Sequence, residues 1–180
     1  MKRTLFLLLS VCLTSGVVML NAFQSGATDR TTATPTNGTD DPPPNGRRVV
    51  KTNAEWKKIL SSDQYGVLRD HGTERAFSSP LNDNHEHGTF LCAGCRNPLF
   101  SSDTKFDSGT GWPSFYAPIA KNAVKEDRDV SYGMARTEVL CNVCGGHLGH
   151  VFDDGPKPTG LRYCMNGVAM MFQKKKVVSQ

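Results

Sequence analysis

The feature that most restricts this chain is a repeated cysteine spacing, Cys92-Ala-Gly-Cys95 and Cys141-Asn-Val-Cys144. Each pair follows a strand-like run, Gly88 to Cys92 and Thr137 to Cys141. A CxxC turn lets two thiolates converge on one metal, and two such turns complete a tetrahedral four-sulfur site. Any fold built on that site must bring the two knuckles together, with everything from Arg96 to Leu140 inserted as a lobe. The insertion exceeds the usual ribbon spacing without removing the site. Four thiolates leave no open coordination position, so the metal, Zn2+ by ligand type, is structural. Its binding can contribute about 10–16 kcal/mol to folding. Three other arrangements compete. In an oxidising compartment the same residues form disulfides. One CxxC could be redox-active, although neither has the βαβ surroundings that role needs. A local set of Cys141, Cys144, His147 and His150 would leave Cys92 and Cys95 without a metal.

The 180 residues suit one domain, and residues 1–49 read as something else. Met1-Lys2-Arg3 precedes an apolar run from Leu5 to Leu20, and Asn21 to Ser25 could hold a cleavage site. Residues 1–23 thus read as a secretory signal peptide or, if retained, as a membrane anchor. The run is just short of the ~20 residues that a spanning helix needs. Leu9-Ser10-Val11-Cys12 is a weak lipoprotein box, with Val11 where a small residue belongs. On either reading the folded part works outside the cytoplasm, secreted or periplasmic, with possible attachment to a membrane through this segment. Residues 24–49 are rich in Thr, Pro, Gly, Asn and Asp, have little to bury and read as a disordered linker. Asn37-Gly38-Thr39 fits a glycosylation sequon. The net charge of +4 includes Lys2 and Arg3, so the domain from residue 50 to 180 is nearly balanced. That is no footprint for nucleic acid, and Lys174-Lys175-Lys176 reads as a solvated tail.

Thr52-Asn-Ala-Glu55 and Ser61-Ser-Asp-Gln64 are capping boxes that start two short helices. Trp56, Ile59 and Leu60 are expected on one face of the first; Tyr65, Val67 and Leu68 belong to the second, which Asp70-His71-Gly72 closes. These helices are expected to pack outside the chemistry. After residue 88 short segments are broken by Gly, Pro, Asp and Ser, which predicts a β-dominated domain. Gly88–Cys92, Thr137–Cys141 and Leu161–Phe172 read as strands. His71, His85 and His87 are expected as solvent-facing loop residues.

With the paired cysteines assigned, Gly109-Thr-Gly-Trp-Pro-Ser-Phe115, His147-Leu-Gly-His150 and Cys164 remain. Each has an ordinary explanation: Trp112 in the core, the histidines on the surface, the cysteine buried as a small apolar group. Strand alternation weakens it for Cys164. With a period of two, Arg162, Cys164 and Asn166 share one face, and Tyr163, Met165 and Gly167 the other. A cation beside a thiol favours the thiolate, which is how a nucleophile is prepared.

SGTGWPSF, CNVCGGHLGHVFDDG and LRYCMNG, together with CAGC, resemble the methionine-R-sulfoxide reductases, the B type of methionine sulfoxide reductase. The resemblance runs from about Val50 to Phe172, and four motifs in the family's order make it specific. It implies a mainly β fold of two antiparallel sheets, tent-like, with short N-terminal helices and a four-cysteine zinc clamp away from the active site. It implies that Cys164 attacks the sulfoxide sulfur, giving methionine and a cysteine sulfenic acid. Trp112 would wall the substrate's methyl group; His147, His150 and Asn166 would position the sulfoxide and handle its oxygen. Arg162 would tune the thiol, and Phe152 and Asp154 would complete the substrate site. The implied partners are oxidised proteins and a thiol reductant. Histidine suits the proton transfer near neutral pH, and one enzyme type serves each sulfoxide epimer.

Two departures stand out against that family. Many members carry a resolving cysteine in SGCGWPSF, where this chain has Thr110. Regeneration would then fall to an external, thioredoxin-like thiol or to a zinc cysteine, and the external route is the simpler. Gly167 stands where many relatives have Ser, and it and Met165 are expected to preserve the strand. The rival from another class, a zinc-stabilised binding module without catalysis, explains the paired cysteines but not the Arg-Cys-Asn face.

Overall fold

Two capping boxes open the two helices. The Thr52 hydroxyl accepts from the Glu55 N–H while the Glu55 carboxylate accepts from the Thr52 N–H, opening α1 (Asn53–Ile59). Ser61 and Gln64 repeat the exchange at α2 (Ser62–Leu68). Each box satisfies two donors that a helix start leaves orphaned. Trp56, Leu60, Val67 and Leu68 are buried, but Ile59, expected beside them, is 54% exposed. The helix ends at Ile59, and Leu60, already in extended backbone, carries the chain into the core instead. The computed structural model describes residues 43–176. The leader, its lipoprotein box and the sequon at Asn37 lie outside the described residues. Among the described residues no helix is long and apolar enough to cross a membrane.

Among the described residues nine strands follow: β1 (Gly88–Cys92), β2 (Pro98–Ser101), β3 (Lys105–Phe106), β4 (Ser114–Phe115), β5 (Val124–Asp129), β6 (Arg136–Cys141), β7 (His147–Phe152), β8 (Arg162–Met165) and β9 (Met170–Lys174). They form two antiparallel sheets, one ordered β2-β1-β9 and the other β3-β4-β8-β7-β6-β5. The mainly β, two-sheet expectation holds.

One expected strand does not. The run Leu161–Phe172 is split between the sheets, with β8 in the large one, β9 in the small one and a 3-10 turn at Gly167–Ala169 between them. The Glu74 carboxylate accepts the N–H groups of Gly167 at 2.5 Å and Val168 at 2.8 Å, taking both amides out of any ladder. Gly167 therefore sits in a turn, not in a strand it was expected to preserve.

The core lies between the sheets. Alternation sends Val139, Cys141, Tyr163 and Met165 to it, joined by Phe115 of β4 and by Leu148, which the irregularity beside Val139 turns inward, against Phe90, Leu99 and Phe100 of the small sheet. Phe100 stacks on Phe115 at 4.4 Å and Phe90 meets it edge-on at 4.9 Å. Each such fully buried side chain contributes roughly 1.5–3 kcal/mol. The helices cover the cysteine knuckles. A Cβ on Gly146 would lie 2.9 Å from Leu68 Cδ2, so the leucine closes down on the second knuckle and would have to shift for a larger residue. Arg69 Nη1 donates to the Cys144 carbonyl and Arg47 Nη2 to that of Cys95, while the Val49 N–H donates to Val143.

Candidate active site and metal centre

Sγ of Cys92 is 3.7 Å from Sγ of Cys144, and Sγ of Cys95 is 3.5 Å from that of Cys141. The four sulfurs lie within 4.8 Å of one another. Four sulfurs bound tetrahedrally at ~2.3 Å sit about 3.8 Å apart, whereas a disulfide needs ~2.05 Å. The spacing is that of a shared metal, and all four thiols are free. Asn97 Nδ2 lies 3.8 Å from Cys141 Sγ and donates toward it. The alternative set with His147 and His150 is not assembled, because both histidines are held by carboxylates on another part of the sheet.

A second constellation follows from register. Asp127, Glu138, His150, Cys164 and Ser114 face one another in turn across β5, β6, β7, β8 and β4. Directly opposed residues point to the same face. The face opposite carries Val139, Tyr163 and Met165 into the core, so this row is the outer face of the large sheet. Arg162 and Phe152, one step along β8 and β7, oppose each other on it. Alternation along Arg162–Met165 is as expected, with Tyr163 and Met165 buried.

Cys164 is half-buried, with Thr110 Oγ1 3.8 Å from its Sγ. Burial pushes the thiol pKa up, outweighing the Thr110 hydroxyl, the Arg162 charge and the Ser114 hydroxyl, which pull it down. The nearby cation thus does not yield a resting thiolate, because desolvation is the larger effect. Arg162 is fixed rather than free. It makes two 2.8 Å hydrogen bonds to the Asp154 carboxylate, and its guanidinium lies 4.4 Å from the Phe152 ring centroid. Asp154 and Phe152 therefore meet the site through Arg162.

His147 and His150 approach edge to face at 5.4 Å. A register irregularity between Val139 and Leu140 and the glycine between them allow it. A Cβ on Gly149 would lie 2.1 Å from the Cys164 carbonyl oxygen. His150 Nε2 is 2.8 Å from Asp129 Oδ2, which also accepts from Arg136 at 2.6 Å. His147 Nδ1 is 2.5 Å from Glu138 Oε1, and His71 Nδ1 is 2.7 Å from the same oxygen. These groups line a cleft of about 510 Å³. Ser131, through its hydroxyl and its N–H, holds the Asp129 carboxyl well below the usual range, with His150 and Arg136 assisting against burial. Burial raises Glu138, but the His147 and His71 hydrogen bonds outweigh it and its pKa is lowered. An ionised carboxylate only accepts, so His150 Nε2 and His147 Nδ1 carry the protons. His150 is itself pushed down by burial, Arg136 and His147 against the pull of Asp129, which keeps it neutral near pH 7.

Trp112 and Asn166 are joined through Glu74. Trp112 Nε1 donates to the Glu74 carbonyl at 3.2 Å, and the Glu74 N–H donates to Asn166 Oδ1 at 2.9 Å. Asn166 Nδ2 donates to the Leu148 carbonyl at 3.0 Å, so its buried amide is engaged on both sides. A larger cleft of about 770 Å³, bordered by α2, Glu74 and Met171, includes neither Cys164 nor the histidines. Sequence reasoning missed Glu74, Asp129 and Glu138, and it left His71 as a loop residue. His85 and His87 are exposed as expected. His71 is exposed too, yet bonded to Glu138. The missed carboxylates carry no local motif; their partners are met only through the sheet register.

Fold and site define a class: a two-sheet β domain with a metal-ready cysteine cluster and, among the described residues, one further thiol set beside two carboxylate-held histidines. The SelR domain matches residues 60–174. Peptide methionine sulfoxide reductase MsrB of Leptospira interrogans is 56% identical over 127 residues, covering 71% of this chain and 97% of that protein. The Agrobacterium fabrum protein of the same name is 56% identical over 126 residues, covering 70% and 93%. That of Methanosarcina barkeri is 55% identical over 130 residues, covering 72% and 92%. The chain belongs to the SelR family, that of the MsrB peptide methionine sulfoxide reductases.

Proposed function

We propose that this chain reduces the R epimer of protein-bound methionine sulfoxide, with Cys164 as the nucleophile. The observation that carries the reading is the row His150–Cys164–Ser114 on the outer sheet face, in a chain of this family. Cys164 Sγ attacks the sulfoxide sulfur, a proton goes to the oxygen, and the oxygen passes to Cys164 as methionine leaves. Thiol and sulfoxide thus become sulfenic acid and thioether, with atoms and electrons balanced. The Trp112 ring walls the substrate methyl group. His147 Nε2, buried and without a protein partner, and His150 Nδ1 are the nitrogens left to take up the proton that the Cys164 thiol gives up and to pass it to the sulfoxide oxygen. Asn166 acts from behind, by fixing Glu74 and Leu148. Arg162, held by Asp154 and Phe152, faces the anionic form of the thiol and lowers the energy of its ionisation.

Regeneration consumes two thiols: the first condenses with the sulfenic acid to release water, and the second displaces Cys164 as a disulfide of the reductant. An external, thioredoxin-like thiol suits a site in which Thr110 is the group beside Sγ. Cys92, Cys95, Cys141 and Cys144 would hold Zn2+, whose filled coordination contributes the joining of the two knuckles and no step of the reaction. The apolar leader supports work outside the cytoplasm. A non-catalytic zinc module leaves the row unexplained and is not favoured.

The test supplies a peptide with either sulfoxide epimer, with dithiothreitol, to residues 50–180 and to the full chain. Loss of the R epimer alone, abolished in Cys164→Ser with zinc content retained, is expected. Turnover that persists in Cys164→Ser would overturn the assignment.

A further inference from the structure

Two carboxylates stand behind the two histidines, and Glu138 alone of them holds a second imidazole. Its Oε1 lies 2.5 Å from His147 Nδ1 and 2.7 Å from His71 Nδ1. The His147 side chain is 3% exposed and that of Glu138 12%, whereas His71 is 61% exposed, on the loop after α2. His71 has φ 56, a left-handed backbone that a side chain rarely adopts, and the next N–H, of Gly72, is tied to the Gly66 carbonyl at 2.9 Å. Such a conformation persists where the surroundings over-determine it. Its ring lies 5.5 Å from that of His147.

Two imidazoles and a carboxylate are also the donors that a divalent cation takes. The distances decide between the readings. Ligands bound at ~2.0–2.1 Å stand about 3 Å or more from one another. Contacts of 2.5 and 2.7 Å are those of hydrogen bonds. The Glu138 carboxylate is ionised and can only accept, so both Nδ1 atoms carry protons. That leaves His147 Nε2 as the free end of the ring, and it is buried with no hydrogen-bond partner. A buried polar atom in that state is costly unless something arrives to meet it. Glu138 also faces His150 directly across β6 and β7, and His150 faces Cys164, so the carboxylate is in register with the thiol.

We propose that Glu138 and His71 are positioning residues for His147. Glu138 fixes its tautomer and ring orientation so that Nε2 is the nitrogen that takes up the thiol proton and passes it to the substrate oxygen. His71, from the loop that follows α2, holds the carboxylate by a second bond and covers it from solvent. Neither touches the reacting atoms. The proposal rests on the reductase reading above, but its structural half can be tested without turnover.

The experiment uses the 15N-labelled, zinc-loaded protein and reads the imidazole nitrogens by long-range proton–nitrogen spectra, alongside steady-state kinetics on a methionine-R-sulfoxide peptide. The wild-type protein is expected to show His147 protonated at Nδ1. Glu138→Gln replaces a double acceptor by an amide and is expected to lose that single tautomer. Its kcat should fall about 10–100-fold, the usual effect of removing a partner that orients a histidine, with KM within about threefold. His71→Ala should lower kcat several-fold, and His71→Asn, which keeps a donor, should restore most of it. Zinc content should not change in any variant. An Nε2-protonated His147 in the wild type, or wild-type kcat in Glu138→Gln, overturns the proposal. If Glu138→Gln does not fold, the exposed His71→Ala decides: wild-type kcat with an unchanged His147 spectrum overturns it. A wild-type chain that binds no sulfoxide and turns none over sinks the reductase reading instead, and leaves the tautomer result standing.

Discussion

At the scale of single residues, Cys164 is a thiol pulled in two directions. Burial raises its pKa, while the Thr110 hydroxyl, the Arg162 charge and the Ser114 hydroxyl lower it, and burial is the larger. A raised pKa means that the thiol form persists through neutral pH and the thiolate fraction grows as pH rises. The rate of alkylation by iodoacetamide should therefore inflect above the ordinary thiol value of about 8.5. In Arg162→Ala, which removes a cation, the inflection should move higher still; a move downward would contradict the assignment of Arg162. Thr110 carries the second residue-level prediction. Its Oγ1 is 3.8 Å from Cys164 Sγ, so a sulfur placed there needs to shift only about 2 Å to form a disulfide. Thr110→Cys should convert the oxidised enzyme to an internal disulfide between the introduced sulfur and Cys164, seen as a loss of two hydrogens by mass spectrometry. The neighbourhood of Arg162 and Cys164 was legible from strand alternation, because it depends on spacing alone. The direction of the pKa was not, because it depends on how deeply the fold buries the thiol.

At the scale of elements, the turn at Gly167–Ala169 matters most, since it carries the chain from the sheet with Cys164 to the other sheet. A Cβ on Gly167 would lie 1.9 Å from Ser79 Oγ and 2.5 Å from Ser79 Cβ. Ser79 occupies the space that a larger side chain at this position would need. Gly167→Ser should therefore destabilise the protein by roughly 1–3 kcal/mol, as overpacking does. Adding Ser79→Gly should recover most of that loss, since contacting sites are not additive. Urea unfolding of the two single variants and the double variant measures the coupling; additive losses would show that Ser79 is not the obstacle. The capping boxes at Thr52 and Ser61 and the bounds of β1 were legible because a few adjacent residues decide them. The break after Met165 was not, because the amides that end β8 are taken by Glu74, far away in sequence. Ile59 went astray for a smaller reason, the helix ending one residue before Leu60.

For the whole molecule, the cysteine cluster is the joint that lets the chain enclose its inserted lobe. Arg47, Arg69, Val49 and Leu68 all close over the knuckles. Removal of a structural metal withdraws on the order of 10 kcal/mol, which is comparable to the stability of a domain. Chelation, or Cys95→Ser, should thus abolish cooperative thermal unfolding, whereas Cys164→Ser should keep both the metal and the transition; calorimetry with metal analysis checks it. The two paired spacings made this joint legible at once, but not which face of the large sheet would carry the chemistry. That came from the register, which sets Glu138, His150, Cys164 and Ser114 in one row. The most direct test of that row's central member is a single turnover without reductant, in which methionine release and the mass of the protein are followed together. The expected outcome is one methionine per chain, one oxygen gained on Cys164, and no disulfide to Cys92, Cys95, Cys141 or Cys144. A disulfide between Cys164 and any of those four, or methionine release with Cys164 unmodified, would contradict it.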